Sequence, residues 1–147
     1  MTLDRAFIEL NRASTNRIRA LAGRLSDEEL QQRVGPHWTV AIALAHLTWW
    51  DRRVLHVLDE TERDGKLFAA EVNIFVNDLS LPLWAAIPPR TAAQLSIETA
   101  RTLDLRLESY PLSLLEEIYA YNQRWVVRAL HRNEHLDEVE ASIKKAY

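Results

Sequence analysis

The sequence predicts an all-α protein, and three observations predict it. Apolar residues recur at helical spacing over four long segments, and helix-start signals stand before several of them. The chain also holds only three glycines and five prolines in 147 residues, few for the tight turns that many short strands would need. Four long helical segments with short helical insertions in their connections suggest a four-helix bundle. The length suits one domain over residues 1–147, large enough for a single core.

The elements follow in order. From residue 3 to about 24, Phe7, Leu10, Ala13, Ile18, Leu21 and Leu25 fall at helical spacing among Arg and Glu, which describes an amphipathic helix. Ser26-Asp27-Glu28-Glu29 is a capping box, expected to start a short helix to about Arg33, and Gly35-Pro36 breaks the chain after it. Thr39 is a plausible N-cap for the most apolar segment, residues 40–63. Asp64-Gly65-Lys66 ends it, and residues 68–84 read as a broken helix limited by Pro82. Ile87-Pro88-Pro89-Arg90-Thr91 reads as a linker. A further helix is expected over residues 91–109, with Leu95, Thr99, Leu103 and Leu107 along one stripe. Pro111 stops it, and Ser113-Leu114-Leu115-Glu116 reads as a second capping box. Helical periodicity then persists to Lys145, as one long helix or as a short one bent near Tyr121 into another.

Composition narrows the function classes. Apolar residues make up 48% of the chain and charged residues 27%, as in ordinary soluble domains. A net charge of −3 without a Lys/Arg cluster gives no attraction to nucleic acid or to an anionic membrane. The absence of cysteine excludes disulfides, thiolate metal sites and cysteine nucleophiles. No apolar run is long enough to span a bilayer, and residues 1–10 lack the apolar stretch of a secretory signal, so a cytoplasmic location is expected.

One motif carries chemistry. His131 and His135 form an H-x-x-x-H, and residues four apart on a helix stand one above the other on the same face. Two imidazoles so placed can grip one metal ion, and His46, on an apolar helix face with Ile42, Trp49 and Trp50, is the candidate third ligand. Three neutral ligands with a free fourth position are the pattern of a catalytic zinc site, where the ion keeps its full charge and activates water or a thiol. The competing reading leaves His131 and His135 on a solvated face, because on a helical wheel they sit near Arg124, Arg128 and Glu138 and away from Trp125, Ala129 and Leu136. His37 lies before its helix and His56 falls off the His46 arc, so neither is a leading ligand candidate. Trp49 and Trp50 could wall a substrate pocket or simply fill the core. Asn77, four residues after Asn73, could orient a substrate or face solvent. Asp51 could support a ligand histidine or lie on the surface. Glu134 and Asp51 are the candidates for moving a proton.

The context Trp38-Thr39-Val40-Ala41-Ile42-Ala43-Leu44-Ala45-His46-Leu47-Thr48-Trp49-Trp50-Asp51 resembles a helix signature of the DinB/YfiT-like superfamily. His131-x-x-x-His135-x-x-x-Val139 resembles that family's closing motif, and Leu25-Ser26-Asp27-Glu28-Glu29-Leu30 resembles the stretch before its tryptophan. The resemblance implies an up-down-down-up four-helix bundle with a metal triad of His46, His131 and His135. It implies zinc or nickel, a small-molecule substrate, a low-molecular-weight thiol cofactor in some members, and a homodimer. The chemistries it implies are hydrolysis and thiol-dependent S-transfer or isomerisation; a non-catalytic metal-containing binding protein is the alternative. Ala41 stands where an acidic residue is frequent, and His135-Leu136-Asp137-Glu138 departs from the usual ending. Both departures move the resemblance towards the maleylpyruvate-isomerase-like and colibactin-resistance-like branches.

Overall fold

The computed structural model describes residues 3–71 and 73–145. Among them the chain is all-α apart from one two-stranded pairing. The helices are α1 (Phe7–Arg24), α2 (Asp27–Leu30), α3 (Val40–Asp64), α4 (Phe75–Ala86), α5 (Pro89–Glu108), α6 (Leu112–Tyr121) and α7 (Ala129–Lys145). The strands β1 (Arg33–Val34) and β2 (Trp38–Thr39) pair antiparallel, Val34 opposite Trp38. Gly35 makes the turn between them at φ 69°, a conformation that L side chains adopt only under strain. This hairpin fixes where Trp38 sits.

Helix α3 is the centre of the fold. Its first nine residues, 40–48, are all buried, as expected of a segment apolar all round. Thr39 Oγ1 accepts the Ile42 N–H at 3.2 Å to start the helix, and Gly65 ends it in the left-handed conformation at φ 70°. The other long helices close around it: α3 packs on α5, α5 on α1, α1 on α7 and α7 on α3. Two large apolar clusters result, beside a smaller one around Trp84. One contains Ile18, Leu21, Leu44, Leu47, Ala100 and Leu136; the other contains Phe7, Val57, Leu58, Leu103, Leu107 and Ile118.

Between the clusters runs a buried polar layer. Asn11 and Thr15 of α1, Asp51 of α3, Asp104 of α5 and Arg132 of α7 are each no more than 5% exposed. Arg132 donates to Asp51 (3.0 Å), Asp104 (2.9 Å), Ser14 (3.1 Å) and Thr15 (3.1 Å). Thr15 also donates to Asp104. Burial works against the Arg132 charge, but the two carboxylates outweigh it and hold the guanidinium pKa above its ordinary value.

Several boundaries differ from expectation. The first helix begins at Phe7, and Leu10 and Leu95, read as parts of apolar stripes, are exposed. Only the second half of residues 68–84 is helical, and Pro82 lies inside α4, which runs on to Ala86. There the burial of Trp84 against Ala41, Ile42, Ala45 and Ala92 outweighs the hydrogen bond that Pro82 cannot donate. The expected linker shrinks because Pro89 takes the first position of α5, where its fixed φ suits a helix start. The Ser113 capping box does not form: α6 starts at Leu112, directly after Pro111 and without a side-chain cap. Residues 112–145 are two helices, separated where Asn122 turns extended (φ −156°) and caps a 3-10 turn, Gln123–Trp125.

Candidate metal centre

His46, in the buried first half of α3, meets His131 and His135 from α7. Its Nε2 lies 3.1 Å from the Nε2 of each. Three nitrogens held tetrahedrally about one zinc at 2.0–2.1 Å stand roughly 3.3 Å apart; the two His46 contacts match that spacing, and all three ligand nitrogens lie within 4.8 Å of one another. Trp38 covers the group from the hairpin, its ring centroid 4.6 Å from that of His46 and 5.6 Å from that of His135. Trp84 meets His46 edge-on at 5.4 Å.

The partners of the outer nitrogens of His131 and His135 set up a conflict among three neutral imidazoles. Arg128 Nη2 is 3.2 Å from His131 Nδ1, and a guanidinium only donates, so neutral His131 carries its proton on Nε2. His135 Nδ1 is 3.3 Å from a Glu138 carboxylate oxygen, which only accepts, so neutral His135 presents a lone pair at Nε2. With a proton on Nε2, His46 opposes the His131 N–H; without one, it opposes the His135 lone pair. One of the two 3.1 Å contacts is therefore repulsive in either tautomer. A cation drawing on all three lone pairs removes the conflict, provided His131 moves its proton to Nδ1 and gives up the Arg128 bond.

The imidazoles are ready for such an ion. Burial pushes the His46 pKa down to about 3, helped by the neighbouring His135 and Arg128. Burial, and then Arg128, holds His131 far below the usual range. Both are neutral at pH 7, so binding would not have to displace protons from them.

An acid sensitivity follows for the metal-free protein. Unfolded His46 takes up a proton below its ordinary 6.5 while folded His46 resists until about 3, so stability is lost as pH falls through that window. The loss from His46 alone is about 2 kcal/mol at pH 5. Urea unfolding at pH 7.5 and 5.0, in chelator, should show a smaller pH effect in His46→Gln than in wild type. Equal effects would contradict the account.

The triad forms one wall of a cavity of about 310 Å3 that also meets Trp50, Ile74, Asn77, Asn122, Arg124 and Trp125. Trp50 donates its indole N–H to Asn77 Oδ1 at 3.0 Å, so two of the sequence candidates act as a unit here. The structure does not bring Trp49 to this cavity; it lines a separate groove with Trp84 and Ile87. His37 is exposed and lines a neighbouring cavity that shares Trp38 and His135, while His56 stacks edge-on against Phe68 elsewhere. Glu134 is exposed and bound through both oxygens to Arg124, at 2.9 Å each. Asp51 is neither beside a histidine nor on the surface: it is 1% exposed and accepts from Arg128 (2.9 Å) and Arg132. It reaches His131 only through Arg128.

Arg128, Arg132 and Trp38 had no part in the sequence-based site. The burial of the two arginines explains why the helical wheel suggested solvent. Arg132 of α7 and Arg128, just before the helix, face inward onto Asp51, and the histidines turn inward with them. The signal available in the sequence was Asp51, the one acid in residues 40–58 of a strongly apolar helix.

An all-α protein with three convergent imidazoles beside a cavity belongs to the class of helical proteins able to hold a metal through histidine. The model of the DinB superfamily matches residues 10–142, and the chain belongs to that superfamily. No curated protein and no solved structure matches the chain.

Proposed function

We propose that this DinB-superfamily protein is a divalent-metal-dependent enzyme acting on a small molecule. His46, His131 and His135 would hold zinc or nickel, and Trp50 and Asn77 would wall the substrate. The observation that carries the reading is the convergence of three Nε2 atoms, from two helices, in the wall of a cavity. When bound, such an ion activates water or a thiol for hydrolysis or for S-transfer and isomerisation.

The chain's own groups favour the thiol. No Asp or Glu is among the described residues that line the cavity, so none there can take a proton from water. A free thiol, with a pKa near 8.5, ionises with far less help than water does, and a low-molecular-weight thiol is the proposed co-substrate. Trp38, Trp50 and Trp125 supply apolar walls that limit water, and Asn77, its Oδ1 occupied by Trp50, keeps its amide N–H groups for a ligand. The reading also takes the four long helices to form the up-down-down-up bundle that the resemblance implies, in a cytoplasmic protein.

The lack of a carboxylate base also favours a second reading, a metal-containing protein that binds a small molecule without turning it over. Zinc- and nickel-loaded protein offered a small thiol with an electrophile, and separately an ester, separates the two. Enzyme function predicts turnover that chelation abolishes, metal restores and His135→Ala lacks. Tight ligand binding without turnover in any arm would favour sequestration.

A further inference from the structure

We infer that the cavity beside the triad is built for a ligand bearing an acid group, held by the guanidinium groups of Arg128 and Arg124. The inference rests on the metal reading above and specifies the ligand class of the same site.

Three observations carry it. First, both arginines line the cavity while no Asp or Glu among the described residues does. The carboxylates that balance them are engaged elsewhere: Asp51 in the buried polar layer and Glu134 in the exposed pair with Arg124. A ligand in the cavity therefore meets the cations without meeting the anions. Second, Arg128 is a built group rather than a surface side chain. It is 4% exposed, with Nε fixed on Asp51 at 2.9 Å and Nη1 on the Arg124 carbonyl at 2.9 Å. A guanidinium has five N–H groups, so two remain beyond these bonds and the one to His131. Third, the His131 bond is the one that a metal-ligating His131 could not keep. A loaded triad would leave Nη2 in the cavity wall without that partner, beside the position of a bound ligand.

Planar guanidinium groups in a water-poor site bind carboxylate strongly and with fixed geometry. Arg124 contributes only by loosening from Glu134, and an exposed pair of that kind is weak enough to exchange. Arg128 and Arg124 are thus specificity-determining residues: they select the acid and take no part in bond making.

The test uses cobalt-loaded protein, whose visible spectrum reports both metal binding and thiolate coordination. Titrate it with 3-mercaptopropionate and with 3-mercaptopropionamide, which differ only in the acid. The acid should bind at least about tenfold tighter, the scale of one hydrogen bond to a charged group. Arg124→Gln should reduce that preference severalfold, and Glu134→Gln, which frees Arg124 without removing it, should increase it. Arg128→Gln, judged only if it takes up cobalt with the wild-type spectrum, should remove most of it. Equal affinity for acid and amide, or a preference unmoved by Arg124→Gln and Glu134→Gln, overturns the acid site and leaves the metal reading standing. Failure of wild-type protein to take up cobalt overturns the metal reading and this inference with it.

Discussion

Asp51→Ala is expected to destabilise the protein by about 3–5 kcal/mol, because it leaves buried guanidinium charge uncompensated. Asp51 is 1% exposed and is the shared acceptor of Arg128 and Arg132, which are 4% and 0% exposed. Its removal leaves two buried cations facing one buried carboxylate, Asp104. Against a typical stability of roughly 5–15 kcal/mol, that loss brings the fold close to its limit. The direction depends on breaking the network rather than on its polarity. Replacing Asp51, Arg128 and Arg132 together with apolar residues of similar volume should recover much of the loss. Urea denaturation of the single and triple variants checks both statements. A loss below about 1 kcal/mol for Asp51→Ala, the range of exposed pairs, would contradict the burial account.

His46→Ala should lower zinc affinity by more than about 100-fold, since even residues that merely support a ligand contribute 10–100-fold. His131→Ala and His135→Ala should do the same, because each histidine supplies one of three convergent nitrogens. His37→Ala and His56→Ala should leave affinity within about twofold, since neither belongs to the cluster. Competition against a chromophoric chelator measures all five. A comparable loss in His37→Ala, or retained affinity in His46→Ala, would move the site.

Much of this was legible in the sequence, for physical reasons. The segments that became α1, α3 and α5 were visible through their apolar periodicity, and Ser26 of α2 and Thr39 of α3 cap as expected. The triad was visible because His46 sits among residues that otherwise bury, and because helical spacing stacks His131 on His135. The orientation of α7 was harder to read. Arg132 on its inward face and Arg128 just before its start are residues a wheel assigns to solvent, and the distant Asp51 and Asp104 make their burial tolerable. Trp49 and Trp50 are adjacent and chemically identical, so sequence could not tell that the helical turn between them sends one to the cavity and the other to a separate groove. Pro82 and Ser113 misled in the same way: each carries a local signal that tertiary packing or a neighbouring proline overrides.

The most direct test is a crystal of untagged protein soaked in zinc, with diffraction recorded on both sides of the zinc absorption edge. The account predicts one anomalous peak at about 2.0–2.1 Å from Nε2 of His46, His131 and His135. No peak there at saturating zinc, or a peak held by His37 or by surface carboxylates, would contradict it.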